Sequence, residues 1–181
     1  YEGEDNSYIK AYIQQMKQTG IELGVITNHN KFDMNEYKAL AKEGRKEDIC
    51  LLPGVELSVN DGANGIHTLI VFNPEEWLNN GSDHINAFIT SMFVGKSNYE
   101  SSNGRSNYKL MDTIKMLNDI AKDYLIIMAH VEQNNGLFQE LDGGRIIELG
   151  KNEFFRSNVL GFQELRTRDK FKKLETWFGT R

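Results

Sequence analysis

Four histidines occur in the 181 residues, and three of them abut short apolar runs. His29 directly follows Gly24-Val25-Ile26-Thr27-Asn28, His67 heads Thr68-Leu69-Ile70-Val71-Phe72, and His130 directly follows Leu125-Ile126-Ile127-Met128-Ala129. Glu56 lies inside Leu51-Leu52-Pro53-Gly54-Val55-Glu56-Leu57, where an ionised carboxylate is expensive to bury without a partner. In α/β folds the strand ends bring side chains from distant sequence positions to one site. Three imidazoles and a carboxylate placed there form a ligand set for a divalent metal. Each residue alone has a plainer explanation. A lone His at a strand end is more often a hydrogen-bonded structural residue, and an Arg or backbone donors would satisfy Glu56 equally well. His84, at the expected helix start Asp83-His84-Ile85, is assigned a structural role. The joint placement favours the metal reading, although no ligand pair stands at i, i+2 or i, i+4.

The elements that must position these residues follow from apolar spacing. Asn6 or Ser7 caps a first helix with Ile9, Tyr12, Ile13 and Met16 on one face, closed by Gly20. Ile21 to Thr27 reads as a strand. Asp33 caps a second helix carrying Tyr37, Leu40 and Ala41 and ending at Gly44. Ile49 to Val59 reads as a strand broken by Pro53-Gly54, and Asp61 to Gly65 as a turn before the strand Ile66 to Phe72. Helical spacing returns at Ile85, Phe88, Ile89, Met92 and Phe93, and again after Asn107 at Leu110, Met111, Ile114, Leu117 and Ala121. Tyr124 to Ala129 is a fourth strand, Val159 to Leu165 a fifth, and a charged helix follows from Asp169 to Phe178. Gly95 to Ser106, rich in Gly, Ser and Asn, reads as a mobile loop or a substrate lid. Apolar strands alternating with helices predict an α/β architecture whose sheet or barrel is covered by helices.

A chain of 181 residues is about one domain, long enough to bury roughly 70% of its unfolded surface. The single Cys50 excludes a disulfide framework and a Cys-rich zinc module, and it suits a reducing cytoplasm. A net charge of −5 argues against a general nucleic-acid-coating surface, while a local basic cleft stays open. Apolar runs such as Tyr124 to Ala129 are too short to span a bilayer. The chain opens at Tyr1 without a signal-peptide pattern, which leads to the expectation of a piece of a longer protein.

Thr27-Asn28-His29-Asn30, after the run ending Gly24-Val25-Ile26, resembles the second motif of the PHP (polymerase and histidinol phosphatase) domain, usually Thr-Asp-His-Asn. Pro53-Gly54-Val55-Glu56 resembles its third motif, whose Glu bridges metals. His67-Thr68-Leu69-Ile70-Val71 resembles the next His-bearing strand, and Ala129-His130 a later ligand segment. The resemblance runs from about Tyr8 to His130 and is nearest the branch fused to an SMC-like ATPase module. It implies a distorted (β/α)7 barrel, incomplete here at both ends, within a single domain over residues 1–181. It also implies His29, Glu56, His67 and His130 as ligands of zinc, manganese or iron. The implied activity is phosphoester hydrolysis, with nucleic acid among the substrate classes.

Three departures stand out. The opening His-x-His and closing Asp-x-His motifs are absent, and Asn28 replaces Asp, which removes a negative charge near the metals. With four family-type ligands, the chain is expected to bind at most one ion tightly and to hydrolyse phosphoesters poorly. Arg145, Arg156, Arg166 and Arg168 could clamp a phosphate, but surface ion pairs explain them equally well. Two alternatives remain beside the phosphoesterase reading: an amidohydrolase-type hydrolase, and a degenerate PHP domain serving as a structural or binding module of a larger ATPase.

Overall fold

The computed structural model describes residues 6–163. Helix α1 (Asn6–Gln18) turns Ile13 and Met16 inward and leaves Tyr12 exposed. It ends as the spacing predicts. Gly20 takes φ +71°, and the amides of Gly20 and Ile21 donate back to the Lys17 and Met16 carbonyls. Strand β1 (Leu23–His29) leads to helix α2 (Met34–Lys46), whose N-cap Asp33 accepts from the amides of Asn35 and Glu36. The helix continues through Gly44, the expected end, because Gly44 is a close-packing position. A Cβ there would stand 2.9 Å from the Ile49 carbonyl oxygen.

Strand β2 (Cys50–Val59) is unbroken. Pro53 precedes the first register pair of β2 with the next strand, Gly54 with Val71, so its missing N–H falls at the end of that ladder. Strand β3 (Ile66–Phe72) is followed by α3 (Pro74–Trp77), α4 (His84–Met92) and α5 (Leu110–Ile120). Strand β4 (Tyr124–Met128) comes next, then the short helices α6 (Leu137–Glu140), α7 (Gly143–Lys151) and α8 (Glu153–Asn158), and strand β5 (Val159–Phe162). The end of the expected fifth strand, the Asp169 to Phe178 helix, Arg166 and Arg168 lie outside the described residues.

The five strands form one sheet in the order β1-β2-β3-β4-β5. The outer pairs are parallel and the two inner pairs antiparallel. One face carries Ile26, Val55, Leu57, Ile70 and Ile126, which join Ile13, Leu40, Phe88, Ile114 and Leu117 of the helices in one buried cluster. Alternate residues face the other way. There Leu23 is 63% exposed and Leu125 45%, and β5 adds Leu160 at 52%. The α/β class holds, but the closed barrel does not form among the described residues. Among the described residues β1 and β5 are the edges, and neither finds a further strand to pair with.

The Gly95 to Ser106 segment, though mostly exposed, carries anchors that its composition does not show. Tyr99 stacks on Phe93 with ring centroids 4.3 Å apart, and Ser106 is buried. Lys96 donates to the carbonyls of Arg105 and Ser106, and Arg105 to that of Ala63. The backbone closes so tightly that a Cβ on Gly104 would lie 1.8 Å from the Tyr99 oxygen. At Gly104 the missing side chain permits this close approach.

Candidate metal centre

Pairing register sets the site. His29 is opposite Glu56 on β1 and β2, and His67 is opposite Ser58 on β2 and β3, which places all three on the less covered face of the sheet. His130 needs more than register. Thr68 pairs with Met128, so an extended chain would send residue 130 to the helix-covered side along with Met128. His130 instead takes φ +26°, and this turn re-aims its ring toward β2 and β3.

The result is a triangle of ligand atoms. His67 Nδ1 lies 2.8 Å from Glu56 Oε1, His130 Nε2 lies 3.1 Å from the same oxygen, and the two nitrogens are 3.1 Å apart. Ligands at about 2.1 Å from an octahedral ion stand about 3.0 Å from one another, so the edges match a coordination face. Two donors converging on one oxygen leave the nitrogen–nitrogen edge without a proton to share, whereas a cation satisfies all three atoms. The far nitrogens, His67 Nε2 and His130 Nδ1, are buried without a hydrogen-bond partner among the described residues. One carboxylate and two neutral imidazoles suit a divalent cation. The hydrogen bond from His67, with smaller contributions from the His67 and His130 rings, holds the Glu56 carboxyl down at about 2 despite the opposing effect of burial.

Three of the four expected ligands therefore converge, and the fourth stands beside them. The His29 ring centroid is 5.1 Å from that of His67, but its nitrogens are outside the tight triangle. Burial holds the His29 imidazole below its ordinary value, partly offset by its contact with the Glu100 carbonyl, 3.4 Å from Nδ1. His84 opens α4, at the expected helix start. Arg145 pairs with Asp61 at 3.1 Å, an ion pair that accounts for it without a phosphate.

Asn28 corrects an expectation. Its side chain lies on the helix-covered side, where it donates to Glu36 Oε2 at 2.9 Å, so no charge beside the Glu56, His67 and His130 triangle is lost by this replacement. Asn30 is a residue to which spacing assigns no role. It is fully buried at φ +52°, accepts from the Ser58 amide, and donates to the carbonyls of Tyr99 and Gly104 at 2.8 and 3.0 Å. Its backbone N–H also holds the Glu56 carbonyl at 2.8 Å. One amide side chain thus ties the 99–104 loop to the strand that carries Glu56. The available hint is its residue type, since Asn tolerates left-handed backbone better than most.

No family model matches the sequence. No curated protein matches it either. Solved structures do. A protein from Bifidobacterium adolescentis, provisionally named a metal-dependent phosphoesterase, superposes with a TM-score of 0.59 at 10% identity, covering 93% of this chain and 77% of its own. An amidohydrolase from Chromobacterium violaceum, with bound sulfate and no metal, gives 0.59 at 14% identity over 92% and 77%. At these identities the likeness is one of fold. Among the described residues, no helix is long and apolar enough to cross a membrane.

Proposed function

We propose that this chain is a metal-dependent hydrolase domain of PHP type that acts on phosphoesters. The observation that carries the reading is the triangle of Glu56 Oε1, His67 Nδ1 and His130 Nε2. The chemistry a divalent cation supplies when bound is acidification of water and neutralisation of charge on phosphoryl oxygens. Glu56 contributes the one fixed negative charge, and the imidazoles hold the ion without cancelling its charge. His29 stands beside the triangle with Nδ1 3.4 Å from the Glu100 carbonyl and Nε2 3.4 Å from the Asn30 side-chain nitrogen, where an imidazole can pass a proton to or from the reacting groups. Zinc, manganese or iron fits this mixed nitrogen and oxygen set.

The proposal extends to a domain over residues 1–181, with the sheet as part of a distorted (β/α)7 barrel. The exposed Leu23, Leu125 and Leu160 support this, since further strands would cover them. It also extends to a cytoplasmic protein linked to an SMC-like ATPase module, with nucleic acid among its substrates. An amidohydrolase is the second reading, favoured by the equal TM-score of the amidohydrolase neighbour.

Metal analysis joined to a panel of chromogenic phosphodiesters, phosphomonoesters and amides tests these readings. It is run on the 181-residue chain, on forms extended at either end, and on His130→Ala. We expect about one ion per chain and weak phosphoester cleavage, both rising in the extended forms and falling in His130→Ala. Amide cleavage alone would select the second reading. A chain that binds no divalent metal in any form would leave the structural-module alternative standing.

A further inference from the structure

His130 reaches the triangle only because its backbone departs from the strand at φ +26°, a conformation that a side chain with a Cβ adopts rarely. Strain of this kind persists only where the surroundings over-determine it. The Gln133 N–H holds the His130 carbonyl at 2.9 Å, and one residue from the other end of the described chain holds the other side of the turn. Gln163, directly after β5, donates its own N–H to the Met128 carbonyl at 2.8 Å and accepts the Val131 N–H at its backbone oxygen at 3.3 Å. Its side-chain Oε1 accepts the N–H of His130 itself at 3.1 Å. A backbone N–H can only donate, so the orientation of the Gln163 amide is fixed by chemistry.

We propose that Gln163 is a positioning residue: its side-chain carbonyl holds the His130 backbone in the turn that aims the imidazole at Glu56 and His67. The proposal rests on the metal-site reading above. Gln163 touches no ligand atom and acts through the His130 N–H alone. Its residue is exposed, and its two backbone bonds survive substitution by any residue but proline, so the effect of the Oε1 acceptor is separable from folding.

The test is zinc affinity of the 181-residue chain, measured by competition with a chromophoric chelator, for wild type, Gln163→Leu and Gln163→Glu. Cobalt absorption in the visible range reports ligand geometry beside it. Outer partners of metal ligands are worth roughly 10- to 100-fold in affinity. We expect the Leu variant to bind zinc about tenfold more weakly and to change the cobalt spectrum. The Glu variant, which keeps an acceptor oxygen, is expected to stay within about threefold of wild type. Metal-free melting temperatures of all three should agree within a few degrees.

Equal affinity in wild type and Gln163→Leu overturns the proposal. So does equal weakening in both variants, because Glu retains the acceptor. Should the Leu variant fail to fold, the comparison of Gln163→Glu with Gln163→Met decides by the same criterion. If wild type binds no zinc or cobalt, the metal-site reading fails first and the positioning role with it, a result distinct from strong wild-type binding that Gln163→Leu leaves untouched.

Discussion

The two faces of the sheet are built from the same strands and do opposite work. On the helix-covered face Val55, Leu57, Ile70 and Ile126 are fully buried and belong to the common core. On the other face, one residue along in each strand, stand His29, Glu56 and His67, with Leu23 and Leu125 exposed. Alternation lets a strand serve stability and chemistry at adjacent positions, since neighbouring side chains point to opposite sides. Perturbing one face should therefore leave the other largely intact.

The largest expected effect lies on the covered face. Ile70→Ala should remove about 2–5 kcal/mol of stability, read as a fall of roughly 10 °C in melting temperature, with zinc affinity unchanged below the transition. Loss of zinc binding in a still-folded variant would break the separation of the faces. Next in size, Glu56→Gln should weaken zinc binding about a hundredfold or more, because it removes the only anionic ligand of the triangle. Competition titration checks this.

Acid gives a third test. The Glu56 carboxyl sits at about 2 when folded, against an ordinary 4.5, so the folded state binds its proton later than the unfolded state. Its contribution is complete above about pH 4.5 and is lost as pH falls toward about 2. With the side chain 24% exposed, the contribution is on the order of 2 kcal/mol. Urea midpoints of metal-free wild type and Glu56→Gln should differ at pH 6 and converge near pH 2; a pH-independent gap would refute the assignment.

Asn28→Asp should cost about 1 kcal/mol by setting a carboxylate against Glu36, with zinc affinity unaffected. Glu36→Gln in the same chain should restore the stability. A change in zinc affinity would place residue 28 on the wrong face. The smallest effect should come from Leu125→Ser on the exposed face, within about 0.5 kcal/mol by thermal melting.

Much of this division is legible in the sequence, because burial on one face and chemistry on the other leave a period-2 trace. That trace locates β3 residue for residue and places His29, Glu56 and His67 against strands. It misreads Pro53 as a break, since the extent of a neighbouring ladder is a pairing fact and not a local one. It marks His130 as a ligand candidate but cannot say how the ring turns, because alternation alone sends residue 130 to the wrong side. Composition also misleads at Gly95 to Ser106, where Asn30 and the Phe93–Tyr99 stack supply anchors from outside the segment. Helices α6 and α8, of 4 and 6 residues, are too short to establish a period.

The antiparallel pairing of β3 with β4 has a consequence in time. The partners Phe72 and Tyr124 are separated in sequence by α3, α4 and α5, while β1, β2 and β3 are joined by shorter connections. Closing so long an excursion is entropically demanding and contributes to slow folding. A nascent chain that has assembled β1 to β3 already presents His29, Glu56 and His67, yet His130 joins only when the long closure completes. With the triangle holding a metal as proposed, its capture by all three ligands would be a late folding event, and the onset of metal binding during refolding would mark the moment at which the two halves of the sheet become one.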